Sequence, residues 1–65
     1  MNILYIGDIV GRPGRRAVQH FLPRIVRSRR VDLVIANAEN IAHGIGATPA
    51  LVEELRRCGI HLFSL

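Results

Sequence analysis

The chain has 65 residues, 49% of them hydrophobic, and a formal charge of +4. That length allows one small domain, whose folding buries only about 60% of the surface its unfolded chain exposes. A single cysteine, Cys58, excludes an internal disulfide, and no Cys/His set has zinc-finger spacing. No apolar run approaches the roughly 18 residues of a transmembrane helix, and the N-terminus lacks the basic start of a signal peptide, meeting an acid at Asp8 instead. These features predict a cytoplasmic protein, or a piece of one, without a membrane partner.

The first element is a short strand over residues 2–6, Asn-Ile-Leu-Tyr-Ile, closed by Gly7-Asp8. Its nearly continuous apolar run predicts burial on both faces, as in a parallel sheet. A loop punctuated by Gly11, Pro13 and Gly14 follows, with Pro13 suited to the first helical position. Ala17, Val18, Phe21, Leu22, Ile25 and Val26 then recur at helical spacing. Pro23 falls inside that pattern. It predicts a kink, or a helix that ends near His20 and restarts, with both pieces on the same core.

A second apolar run, Leu33-Val34-Ile35-Ala36, ends abruptly in the polar Asn37-Ala38-Glu39-Asn40. A Gly44-Ile45-Gly46 loop leads to Thr48, a good N-cap, with Pro49 at the next position and Leu51, Val52 and Leu55 on one side. Gly59 suits the position just past that helix, and residues 60–65 read as a third strand. The fold class is therefore α/β, in a β-α-β-α-β order with parallel strands and right-handed crossovers. If the strands progress in one direction, both helices cover one face and leave the other bare. A bare face of that size exceeds what soluble monomers usually carry. The pattern predicts a fragment of a larger α/β protein.

Charge is segregated along the chain. Seven of the nine arginines lie between Arg12 and Arg30, a stretch without an acid. A solvated helix face explains them most simply. The pairs Arg15-Arg16 and Arg29-Arg30 would otherwise attract a nucleotide or RNA. Tyr5, Phe21 and Phe63 sit in apolar patterns and read as core, so no aromatic platform accompanies the arginines.

Ligands in parallel α/β sheets sit outside the carboxyl ends of the strands. Asp8 stands at the end of the first strand, Glu39 and Asn40 at the end of the second. Two carboxylates brought together repel unless a cation lies between them. A divalent metal resolves that conflict, and Asn40 would add a neutral oxygen ligand. Loop turns and helix caps are the plain alternative for these residues. The glycines after the first strand run G-x-x-x-G-x-x-G, which is neither a dinucleotide fingerprint nor a P-loop. His43 could approach a substrate phosphate. His20 and His61 read as scaffold, and Cys58 as a small packing residue.

Two strings carry a resemblance. Ile6-Gly7-Asp8-Ile9-Val10-Gly11-Arg12-Pro13-Gly14-Arg15 and Ile35-Ala36-Asn37-Ala38-Glu39-Asn40-Ile41-Ala42-His43-Gly44 closely resemble the N-terminus of a bacterial subfamily of calcineurin-like metallophosphoesterases. The similarity extends through Thr48-Pro49 and Gly59. It implies a phosphodiesterase acting on phosphodiesters such as 2′,3′-cyclic nucleotides, with two divalent metal ions, iron or manganese. By resemblance Asp8 ligates one metal, Glu39 bridges both, and Asn40 is an amide ligand of the first. The family fold is an α/β-sandwich in which the third strand leads into a Gly-Asn-His motif that carries the general acid. Residues 1–65 would then be the N-terminal portion of a single metallophosphoesterase domain, truncated before that motif and inactive alone. Homo-oligomers are compatible with this reading. The other function class is a small basic protein that binds nucleic acid or a larger subunit without catalysis. A truncated or frameshifted reading frame is the third. On the reading in which the arginines lie on a helix away from the strand ends, neutralising Arg15 and Arg16 leaves metal binding unchanged.

Overall fold

The computed structural model describes residues 1–42 and 46–65. The chain runs β1 (Ile3–Ile6), α1 (Gly11–Ser28), β2 (Leu33–Asn37), α2 (Pro49–Arg57) and β3 (Leu62–Ser64). The three strands form one sheet in the order β1-β2-β3. Both pairings are parallel, with Ile3 opposite Leu33 and Ile35 opposite Leu62. The βαβαβ arrangement read from the hydrophobic pattern is the one observed.

Alternation along the strands decides which face is covered. Val34 and Ala36 of β2 pack into a core with Leu22 of α1 and Leu55 of α2, joined by Ile9, Ala38, Ile41 and Ile60. Both helices therefore lie over the same face, as two right-handed crossovers in one direction require. The odd-numbered residues of β1 point the other way. Ile3 is 57% and Tyr5 59% exposed, and Leu62 on β3 is 53% exposed. The expected bare face is present. The reading of Tyr5 as core is corrected, since apolar character does not tell which face of a strand another layer covers.

The first helix departs from expectation in three ways. It begins at Gly11 rather than Pro13. Gly11 takes a left-handed backbone, φ 61°, which a side chain would oppose. Of the two alternatives at Pro23, a helix that ends near His20 and restarts is not found, since α1 runs through as one span. A mid-helix proline costs about 3 kcal/mol, but Leu22 and Val26 on either side of it stay in phase on the core. Third, Phe21 is 50% exposed and is not core as expected. Its ring packs edge-on against the imidazole of His20, with centroids 4.7 Å apart.

The second helix follows its sequence signals. The Thr48 hydroxyl accepts from the Leu51 N–H at 3.2 Å, and Pro49 opens the helix. Past its end Gly59 sits at φ 125°, where glycine is strongly favoured. β3 is shorter than the expected strand. Ile60 is buried and His61 precedes the strand. The His61 imidazole Nδ1 accepts from the Val34 N–H at 2.9 Å, a scaffold role.

Candidate metal centre

The carboxyl ends of β1 and β2 lead into two loops that are tied together by the backbone. The Ile9 N–H donates to the Asn37 carbonyl at 3.3 Å, and the Gly11 N–H donates to the Asn40 carbonyl at 3.1 Å. Ile9 and Ile41, one from each loop, are buried at 3% and 0% exposure. These apolar anchors fix the polar residues between them at the sheet edge where parallel α/β proteins bind ligands.

Asp8 and Asn40 meet there. The Asn40 side-chain amide donates to Asp8 Oδ1 at 3.1 Å and to Oδ2 at 3.2 Å. Asp8 is exposed and Asn40 half-buried, so the pair faces solvent. Amide oxygen and nitrogen are interchangeable by a half-turn of the side chain. With that turn, a carboxylate and an amide oxygen face one point, the donor chemistry of a hard divalent cation. Two of the three expected ligands are thus hydrogen-bonded to each other. Glu39, next in the chain to Asn40, is exposed and enters no hydrogen bond or ion pair among the described residues. Nor do three His, Cys, Asp or Glu side chains cluster among the described residues. The donor set fits one side of a cation site and is incomplete as it stands. His43 and the first two residues of the Gly44-Ile45-Gly46 loop lie outside the described residues.

One residue beside this pair was misread from sequence. Arg15 is 8% exposed, the buried exception in the arginine-rich segment. Its guanidinium Nη1 donates to the carbonyl of Ile41, immediately after Asn40. Its Nε is buried without a partner among the described residues. The signal was present in the spacing. Arg15 lies on the same line as Gly11, Val18, Leu22 and Val26, the residues that turn α1 toward the core. Arg12, Arg16, Arg24 and Arg27 are exposed, as a solvated face predicts.

The model of the YmdB-like protein family matches residues 4–65. The chain belongs to this family. It is 41% identical over 59 residues to the 2′,3′-cyclic-nucleotide 2′-phosphodiesterase of Bacillus subtilis, covering 91% of this chain and 22% of that protein. Among solved structures it resembles a hypothetical protein from Thermus thermophilus, with a TM-score of 0.90 and 48% identity, over 100% of this chain and 25% of that one. It also resembles a phosphatase from Mycoplasma pneumoniae, with a TM-score of 0.92 and 33% identity, over 94% of this chain and 22% of that one. The YmdB-like chain therefore spans about a quarter of the length of these relatives or less. The chain is homologous to phosphodiesterase and phosphatase family members, and it shares its βαβαβ fold with the two solved structures. No helix among the described residues is long and apolar enough to cross a membrane.

Proposed function

We propose that this chain is the N-terminal portion of a two-metal phosphodiesterase domain, with Asp8, Glu39 and Asn40 as its oxygen ligands. The observation that carries this reading is the Asp8–Asn40 pair at adjoining strand ends, in a chain related to a cyclic-nucleotide phosphodiesterase. Divalent ions held there, iron or manganese, would polarise phosphoryl oxygens and lower the pKa of a water. The chain's own residues do the holding. Asp8 supplies negative charge from the end of β1. Asn40 supplies a neutral oxygen from the loop after β2. Glu39, exposed beside it, is free to turn toward a second ion. No general acid is assigned among these residues, so the chain alone is expected to be inactive. The substrate class is a phosphodiester such as a 2′,3′-cyclic nucleotide.

The test is a chimera in which this chain replaces the matching part of the Bacillus subtilis relative. Manganese-dependent hydrolysis of a 2′,3′-cyclic nucleotide is expected from it. Asp8→Asn and Glu39→Gln should each abolish that hydrolysis. Full activity in either variant overturns the ligand assignment.

A further inference from the structure

We propose that Arg15 is a positioning residue, which locks the loop carrying Glu39 and Asn40 onto α1 and so keeps the Asn40 amide against Asp8. The inference deepens the proposed function and rests on it for the purpose of the pairing.

A buried guanidinium is expensive. Removal from water costs several kcal/mol unless charge and hydrogen bonds are both matched. Arg15 is not matched in that way among the described residues. Its one acceptor there is a neutral carbonyl, that of Ile41, and its Nε has no partner. Neither described ion pair includes it, since both join Glu53 to arginines of α2. For stability alone, an apolar side chain would serve at least as well at this place on the core-facing line of α1. What an apolar side chain cannot do is hold a loop carbonyl.

The carbonyl it holds is well placed. Ile41 follows Asn40 directly, and its side chain is fully buried. The carbonyl one residue earlier, that of Asn40 itself, accepts from the Gly11 N–H. Gly11 and Arg15 are one helical turn apart on α1. Two successive carbonyls of the loop, those of Asn40 and Ile41, are therefore clamped by two successive turns of one helix. With both held, the Asn40 side chain is left facing Asp8. Releasing Ile41 removes half of the clamp. Arg15 itself touches neither carboxylate nor amide, so its role is to position the residues that do.

The experiment compares Arg15→Met and Arg15→Lys with the unaltered chain by NMR, below the concentration at which the chain self-associates. Three quantities are read: exchange protection of the Gly11 amide, selective broadening of Asp8 and Asn40 signals by Mn²⁺, and the Tm. In Arg15→Met we expect Gly11 protection to fall about tenfold and Mn²⁺ affinity to fall by a similar factor, with the Tm unchanged or raised. Arg15→Lys keeps a donor on a flexible stem and should recover part of both losses. The proposal is overturned if Arg15→Met retains Gly11 protection, or if every loss simply follows a fall in Tm and Lys recovers none of it. An unaltered chain whose Asp8 and Asn40 signals ignore Mn²⁺ refutes the metal reading instead. The clamp then stands or falls on Gly11 protection and on the Asn40 side-chain amide signals alone.

Discussion

The Asn40 amide spans both oxygens of the Asp8 carboxylate, at 3.1 and 3.2 Å, across a sequence separation of 32 residues. The pairing joins the exits of two neighbouring parallel strands. It neutralises nothing, because an amide carries no charge. A carboxylate left unneutralised beside a second oxygen donor is an invitation to a cation. Asp8→Asn keeps the shape and removes the charge. We expect the Tm to stay within a few degrees and the Mn²⁺-induced broadening at Asn40 to disappear. Persistence of that broadening at the same Mn²⁺ concentration would mean that Asp8 is no ligand.

Much of this arrangement was legible in the sequence, and the exceptions share a cause. The apolar runs, the Thr48-Pro49 start and Gly59 are local signals, each read within a few residues. Asp8 and Asn40 could be placed at strand ends for the same reason. Tyr5 and Phe21 misled because their environment depends on which face another layer covers, a non-local property. Arg15 misled because seven arginines in one acid-free stretch suggest a uniformly solvated face. Its helical phase with Leu22 and Val26 pointed the other way, and phase is the better guide where the two conflict. The structure therefore corrects the reading of Arg15 as part of a solvated face: it is buried and hydrogen-bonded to the loop that carries Asn40. Arg16 is exposed, as a solvated face predicts.

Gly59 tests the join between α2 and β3. Its φ of 125° is a conformation that side chains rarely adopt. A Cβ there would meet Leu22 Cδ2 at 3.5 Å, an ordinary contact. The penalty for Gly59→Ala is thus conformational rather than steric, about 1–3 kcal/mol. Leu22→Ala, at a side chain only 2% exposed, should cost roughly 2–5 kcal/mol through lost burial and a cavity. In so small a domain the second loss is comparable to total stability. Urea unfolding followed by circular dichroism should give a lowered midpoint for Gly59→Ala and no folded baseline for Leu22→Ala. A midpoint unchanged by Gly59→Ala would show that the turn relaxes.

Among the described residues, Cys58 carries the one resolved pH effect. Burial pushes its thiol above the ordinary value of 9.0, its own backbone hydrogen bond pulls it partly back, and the nearby Glu54 raises it again. The Sγ also lies 3.1 Å from the Leu55 carbonyl, in donor geometry. The neutral thiol is therefore favoured in the fold. Its contribution to stability is complete below the unfolded value and is lost as pH rises through the folded one. Iodoacetamide should react more slowly with Cys58 in the folded chain than in urea throughout the range from neutral pH to 9.0. Equal rates in the two states would remove the desolvation argument.

The open face of the sheet predicts self-association. Register sets Tyr5 beside Ile35 and Ile35 beside Leu62, so one apolar band crosses all three strands. Tyr5 and Leu62 are both more than half exposed. The band is not isolated, because Tyr5 also borders a groove between β1 and α1 lined by Phe21 and Ile25. β1 is moreover a sheet edge, with backbone donors and acceptors on its outer side open to another strand. Fully burying one such side chain contributes roughly 1.5–3 kcal/mol, and association opposes that with the loss of overall freedom. Several side chains buried together are enough to win at moderate protein concentration. Sedimentation velocity should therefore show species larger than a monomer that grow with concentration. Ile3→Thr combined with Leu62→Thr keeps strand-compatible β-branched residues while making the face polar. That variant should sediment as a monomer with its circular dichroism unchanged. A monomeric unaltered chain with a sharp, concentration-independent melt would refute the idea that this face needs a partner.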